Sequence, residues 1–317
     1  MEFSTDILTH VVELAKRGLG HTRPNPPVGA MLFSQSRKVL GEGYHHRAGE
    51  NHAEVEAIKD WQENHPSLKP HTLLVTLEPC SKAGKVGACT EAIIRAQIPH
   101  VVYLCEDPNP KNRRKAKKAL ELYGITCEFR PYEPAADLIK PFAKRIKTGI
   151  PYVTVKLAIS LDGKICDNWG DAKWISSKES REATGKLREQ VDAIMVGAST
   201  VRQDNPSLLA HGKANPDLIR VVISRSGRLP ETAQVFTDGK NKTLVYPSAQ
   251  EALRDLGAKG ITHVLCEGGR VLAASLNELG VVDEWITVLC PITIGENHIK
   301  DAKRFGKLKD TFVCLQA

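Results

Sequence analysis

Four residues constrain this chain more than any other feature: His52 and Glu54, then Cys80 after Pro79, then Cys89. One His and two Cys fill three corners of a tetrahedral zinc site and leave the fourth for water. Glu54, close behind the His, is then free to move protons instead of binding metal, as in the hydrolytic zinc deaminases. Any fold for this chain must bring three separated segments to one point. His52 opens an apolar-periodic run (Val55, Ala57, Ile58, Trp61) that predicts a helix with the ligand in its first turn. Residues 72–77 read as a buried strand, and Glu78-Pro79-Cys80 is the turn that ends it. Cys89 precedes a second helical run, Ala92, Ile93, Ile94 and Ala96. Two helix starts and one strand end can converge on one metal ion.

Most cysteines in a chain of this kind are small buried apolar residues. Cys105, Cys127, Cys166, Cys266, Cys290 and Cys314 show no ligand spacing and read that way. Nucleic-acid and nucleoside deaminases usually carry Pro-Cys-x-x-Cys. Here eight residues separate Cys80 from Cys89, which points to a longer loop and another substrate. The formal charge of +7 suits a phosphorylated metabolite or a dinucleotide phosphate as well as nucleic acid. Lys111, Arg113, Arg114, Lys115, Lys117 and Lys118 read as one solvated helix face. No aromatic residues interleave with them, which argues against a single-strand stacking platform and a nucleic-acid partner.

A length of 317 residues predicts two domains. No run approaches a transmembrane helix. Glu2, Asp6 and Glu13 interrupt the first twenty residues, where Ile7, Val11 and Leu14 fall on an amphipathic helix, not a signal peptide. The expectation is a cytoplasmic protein with reduced thiols.

The first half alternates helix and strand. A helix over 5–17 is followed by Pro24-Asn25-Pro26-Pro27, a strand over 28–33 and a hairpin partner near 38–43. The His52 helix, the 72–77 strand, the Cys89 helix, a strand at 100–105, a basic helix near 113–122 and a strand at 125–129 complete it. Pro131, Pro134 and Pro141 interrupt regular structure over 131–149, so a boundary is expected near Lys144, with domains 1–144 and 145–317. The second half reads as strand 152–159, helix 178–189, and strands at 193–197, 219–224, 243–246, 262–266 and 284–290, with a last short strand at 311–315. Both halves are α/β, a sheet with helices on its faces. Strand 262–266 runs into Glu267-Gly268-Gly269-Arg270 and an apolar helix, a turn whose amides can approach a phosphate or simply turn the chain. Val196-Gly197-Ala198-Ser199-Thr200 with Asp204-Asn205-Pro206 can line a nucleotide cleft or cap a helix.

These segments together resemble the bifunctional riboflavin-biosynthesis deaminase–reductase family over nearly the whole chain. The resemblance rests on Pro24–Ala30, Gly41–His45, Ala48-Gly49, His52–Val55, Glu78–Ser81, Cys89–Ile94, Glu106–Pro110, Lys156–Gly163, Trp174-Ile175, Val196-Gly197, Asp204–Pro206 and Glu267–Gly269. The gap between the cysteines is also the family's. The resemblance implies a cytidine-deaminase-like three-layer α/β/α domain followed by a dihydrofolate-reductase-like α/β domain. The first would hydrolyse the ring amine of a diaminopyrimidine ribosyl phosphate. The second would use NADPH to reduce the ribosyl side chain to ribityl. Carried onto this sequence, it implies that His52, Cys80 and Cys89 bind Zn2+, that Glu54 shuttles protons, and that Asn25 and Lys85 hold the deaminase substrate. It also implies that Ala158, Trp174, Thr200, Asp204 and the run Gly269, Arg270, Val271, Leu272, Ala273, Ala274, Ser275 face NADPH. Arg188, Leu208 and Glu267 would face the ribosyl phosphate, and a homo-oligomer is compatible with the family.

Several positions depart from the family pattern. Lys82 stands where the family has His, and Asn51 where it has Pro; Arg114 and Ala116 replace glycines. Ala172 stands for Ser and His211 for Arg, which removes a hydroxyl and a permanent cation from the reductase half. A weakened or non-catalytic reductase-like domain beside an active deaminase is therefore the alternative.

Overall fold

The computed structural model describes residues 2–81, 87–172, 175–212, 215–305 and 308–316. The chain divides into two compact units, Met1–Thr148 and Gly149–Ala317.

In the first unit α1 (Thr5–Lys16) starts at Ser4, whose hydroxyl accepts from Ile7 N, and leads to the hairpin β1 (Gly29–Phe33) and β2 (Val39–Tyr44). Then come α2 (Ala53–Asn64), β3 (Thr72–Val75), α3 (Cys89–Arg95), β4 (His100–Tyr103), α4 (Ala116–Glu121) and β5 (Thr126–Phe129). The five strands lie in the order β2-β1-β3-β4-β5, with β3, β4 and β5 parallel. Every residue of β1 and β3 is buried, so both faces of the sheet are covered. The pleat sorts them: Leu32, Leu73, Val75 and Val101 pack with Ala57, Ile58 and Ile93 of α2 and α3. Met31, Phe33, Leu74 and Val102 pack with Val11 and Leu14 of α1. This is a three-layer α/β/α sandwich.

The glycines of β2 fix how closely α2 approaches. A Cβ at Gly41 would lie 2.2 Å from the Ala57 carbonyl oxygen, and one at Gly43 would lie 2.5 Å from that of Ala53. Both obstacles are backbone, so the helix seats only on bare strand.

Residues 131–149 depart from the expected irregular linker. They form α5 (Glu133–Leu138) and α6 (Lys140–Thr148). Pro134 lies in the first turn of α5 and Pro141 in the first turn of α6, where the backbone N–H has no intrahelical partner. The prolines therefore start helices here, and Ala135 of α5 joins the core beside α1. Lys144 falls inside α6, and the units part between Thr148 and Gly149.

The second unit contains β6 (Tyr152–Ser160), α7 (Lys178–Glu189), β7 (Ala193–Gly197), α8 (Ala198–Asp204), β8 (Ile219–Ile223), α9 (Gln234–Thr237) and β9 (Thr243–Tyr246). It continues with α10 (Ala249–Ala258), β10 (His263–Cys266), α11 (Arg270–Glu278), β11 (Glu284–Cys290), β12 (Ile292–Thr293), β13 (Lys303–Arg304) and β14 (Thr311–Gln316). Seven strands run β14-β11-β6-β10-β7-β8-β9, parallel except for β14 against β11. Strand β10 thus inserts between β6 and β7. Asp192 locks this register: its Oδ2 accepts from Thr262 N at 2.7 Å, Thr262 Oγ1 at 2.6 Å and His263 N at 3.2 Å. No helix among the described residues is long and apolar enough to cross a membrane.

The contact between α2 and β2 generates a prediction. Gly41→Ala forces α2 away from the sheet at a cost of about 1–3 kcal/mol. Thermal denaturation is expected to show a lowered midpoint, and zinc competition a weakened site, because His52 moves with the helix.

Candidate active sites

Three elements deliver the ligand set of the first unit. His52 is the N-cap residue of α2, Cys80 follows the end of β3, and Cys89 opens α3. Their ligand atoms lie within 4.8 Å of one another. His52 Nδ1 is 3.0 Å from Cys89 Sγ and 3.6 Å from Cys80 Sγ, and the two sulfurs are 3.3 Å apart. Ligand atoms at the corners of a zinc tetrahedron are separated by about 3.4–3.8 Å, given Zn–S of about 2.3 Å and Zn–N of about 2.0–2.1 Å. The set fits zinc and is the one such cluster of His, Cys and acids among the described residues.

The electrostatics suit metal capture. Hydrogen bonding with Cys89 and His52 overcomes burial and pulls the Cys80 thiol down to about 4. The same hydrogen bond, with burial, pushes the Cys89 thiol up. These shifts favour the thiolate at Cys80, which Cys89 N steadies at 3.2 Å, and Cys89 would yield its proton to a bound metal. Glu54 lies in the first turn of α2 and is 3% exposed. Burial raises its pKa, only partly offset by His52. A carboxyl so placed holds a proton more readily than a solvated one.

His52, Glu54 and Cys80 border a cavity of about 500 Å3 that Asn25, His45, Asp107, Asn109, Lys111, Phe142 and Arg145 also line. Asn25, expected from the sequence, is here; Lys85 lies outside the described residues. His45 is buried and donates from Nδ1 to the Asn51 carbonyl at 2.9 Å, so its Nε2 accepts from Asn25 Nδ2 at 3.1 Å. That bond orients the Asn25 amide and leaves its oxygen as an acceptor. Burial lowers the His45 pKa, which favours the neutral ring that this bond requires.

The loop after β4 also shapes this cavity. Its sequence signal is Asp107-Pro108-Asn109-Pro110 at the carboxyl end of a strand parallel to the one that delivers Cys80. Asp107 accepts from Asn109 N at 2.8 Å and Asn112 Nδ2 at 2.7 Å, and Asn112 Oδ1 accepts from Ser81 N at 3.0 Å. Glu78, itself buried, accepts from Arg114 N at 2.9 Å and Ala116 N at 3.1 Å. Arg114 holds a left-handed φ of 59°, the conformation a glycine adopts without strain, and its side chain pairs with Glu106 at 2.6 Å.

The second unit has a cavity of about 430 Å3 at the carboxyl ends of β7 and β10, where parallel sheets bind ligands. Ala158, Arg188, Thr200, Asp204, Glu267 and Gly269 all line it. Gly268 and Gly269 form the turn into α11, and a Cβ on Gly268 would meet Leu272 at 2.7 Å. The turn thus needs glycine to pack, and its amides open toward a cofactor phosphate. NADPH therefore fits the donors present.

The remaining expectations for this cleft change with the structure. Leu208 is buried in the core beside Val196, Val222 and Leu265, not at the cavity. Leu272 and Ala273 face the core under α11, whereas Arg270, Val271 and Ala274 are exposed. Ser275 is half-buried, so of the run 269–275 only Gly269 lines the cavity. A helix turns successive residues to different faces, so a continuous run cannot all face one ligand. Trp174 lies outside the described residues. Arg188 gives Nε to Glu267 Oε1 at 2.6 Å, Nη2 to Glu267 Oε2 at 2.9 Å and Nη1 to the Leu209 carbonyl at 3.0 Å. Its fork is largely engaged within the protein. His211 does not line the cavity. Its ring stacks over Gly185, and Nε2 lies 3.6 Å from Glu189.

The fold and sites define a zinc hydrolase of the cytidine-deaminase class joined to a nucleotide-dependent reductase-like domain. Residues 1–105 match the cytidine and deoxycytidylate deaminase zinc-binding region, and residues 151–312 match the RibD C-terminal domain. The riboflavin biosynthesis protein RibD of Bacillus amyloliquefaciens is 37% identical over 313 residues, covering 90% of this chain and 83% of the relative. That of Escherichia coli is 33% identical, covering 92% and 88%. A solved deaminase/reductase from Thermotoga maritima superposes with a TM-score of 0.87 at 30% identity, covering 98% and 97%. The chain belongs to the RibD family of riboflavin biosynthesis proteins, with a cytidine-deaminase-like first domain and a dihydrofolate-reductase-like second domain.

Two predictions follow from these geometries. Glu54→Gln is expected to retain zinc by metal analysis while deamination falls about 10²–10⁴-fold. Glu267 is the basis of the second. Burial would raise its pKa, but Arg188 prevails and holds it below the ordinary carboxylate range. A depressed folded pKa contributes stability above the unfolded value of about 4.3 and loses it as pH falls through the folded one. Glu267→Gln should therefore lower the melting temperature at pH 7 and flatten its decline toward pH 3.

Proposed function

We propose that the first unit deaminates a 2,5-diamino-6-ribosylamino-pyrimidinone phosphate and that the second reduces the ribosyl chain of the product to ribityl. The observation that carries this reading is the meeting of His52, Cys80 and Cys89 beside the buried acid Glu54, in a chain of the RibD family. A T. maritima relative bears the name of both activities. Zinc, if bound, would supply the Lewis acidity that lowers the pKa of a water. His52, Cys80 and Cys89 would hold it. Glu54 takes the proton that water gives up and returns it to the departing amine, so water replaces the amine by oxygen and ammonia leaves. Asn25, oriented by His45, accepts a hydrogen bond from the substrate.

In the second unit NADPH, when bound, supplies a hydride. Gly269 and the first turn of α11 receive a cofactor phosphate, and Thr200, Asp204 and Ala158 border the cofactor. Glu267 and Arg188 stand as one bidentate unit at the ribosyl end, where the remaining guanidinium protons and the rigid carboxylate orient the sugar. Both activities belong to the family, and among the described residues the cleft of the second unit is formed with Ala172 in its lining. We further place the enzyme in the cytoplasm, acting on a small phosphorylated pyrimidine without nucleic acid.

The test supplies the diaminopyrimidine ribosyl phosphate to zinc-loaded protein with and without NADPH and identifies products by mass. Exchange of amine for oxygen is expected in both, and a gain of two hydrogens only with NADPH. Unchanged substrate in the presence of zinc would overturn the deaminase reading.

A further inference from the structure

Two cations that the mechanism above does not use line the deaminase cavity. Lys111 lies in the loop after β4, and Arg145 lies on α6. Lys111 stands apart from the other basic residues of its loop. Arg113 and Arg114 both pair with Glu106, at 2.7 and 2.6 Å. Lys111 is held only through its backbone: its N donates to Asn109 Oδ1 at 3.0 Å, and its carbonyl accepts from Lys115 Nζ at 2.7 Å. Its ammonium has no ion pair among the described residues. Arg145 donates from Nη2 to the Pro24 carbonyl at 3.4 Å, which sets it beside Asn25 on the substrate wall. The acids bordering this cavity are otherwise matched. Asp107 and Glu78 accept from backbone amides and Asn112, and Glu54 is the buried proton carrier. A cavity of about 500 Å3 is far larger than a pyrimidine ring and suits a nucleotide-sized ligand.

We propose that Lys111 and Arg145 form the phosphate pocket of the deaminase unit. They receive the phosphate of the ribosyl group while the amine-bearing carbon of the ring faces His52, Cys80 and Cys89. Arg145 supplies a planar donor fork and Lys111 a mobile point charge, a pairing suited to a phosphate monoester. The proposal rests on the deaminase reading and deepens it by locating the far end of the substrate. It also assigns a use to α6, which the prolines of the sequence concealed.

The experiment compares deamination of the pyrimidine ribosyl phosphate with that of its dephosphorylated riboside, in the zinc-loaded full chain. The wild type is expected to prefer the phosphate ester. Lys111→Ala and Arg145→Gln should each lower kcat/KM for the ester about tenfold, chiefly through KM, as expected for loss of a charge-assisted hydrogen bond. The double variant should bring the preference toward unity, and Arg145→Lys should keep part of it. NADPH-dependent reduction of the deaminated product by the same preparations reports that the chain is folded. A merely structural role would lower activity on both compounds alike and leave their ratio at the wild-type value, which would overturn the phosphate pocket alone. A wild type that deaminates neither compound would instead overturn the deaminase reading beneath it.

Discussion

The approach of α2 to β2 is the contact on which the first unit depends. Gly41 and Gly43 let the backbone of the helix lie against the backbone of the strand, with the carbonyls of Ala57 and Ala53 where side chains would otherwise stand. That seating fixes the start of α2, and with it both His52 and Glu54. The sheet then does the rest, because β3 is paired to β1 and β4 and ends where Cys80 must be. Cys89 follows from the same contact: its amide and that of Thr90 reach back to Cys80 at 3.2 Å. Metal binding completes an arrangement that burial and pairing have already brought within a few ångström.

The floor of this site is organised by acids that do no chemistry. Glu78 gathers the amides of Asp107, Arg114 and Ala116, and Asn112 ties Asp107 to Ser81. The loop that carries Asp107, Asn109 and Lys111 to the cavity is thereby anchored to the turn that carries Cys80. Departures from the family pattern are absorbed in the same way. Arg114 keeps the left-handed backbone of the glycine it replaces and gains an exposed pair with Glu106 that offsets part of the strain.

In the second unit the corresponding device is the Arg188–Glu267 pair. It joins α7 to the turn between β10 and α11, two elements whose separation sets the width of the cleft. A half-buried guanidinium whose Nε, Nη1 and Nη2 all donate to protein oxygens is a strut as well as a ligand. Ala172 lines the same cavity and His211 lies outside it, and neither is a hydrogen-bond partner of the strut.

The sequence by itself determined the zinc set, the acid beside it, the order of the sheet strands other than the short β12 and β13, and the family. Those features are local: ligand spacing, apolar periodicity and turn residues act within a few positions of the chain. Only the tertiary structure decided which residues share a cavity. Pro134 and Pro141 looked like breaks and are helix starts, because a proline's missing N–H costs nothing in a first turn. Leu208, Leu272 and Ala273 matched cofactor and substrate motifs, yet packing turned them into the core. Arg145 and Lys111 meet in one cavity although a long stretch of chain separates them, and His45 meets Asn25 for the same reason. Such meetings depend on how sheet and helices stack, which no local pattern encodes.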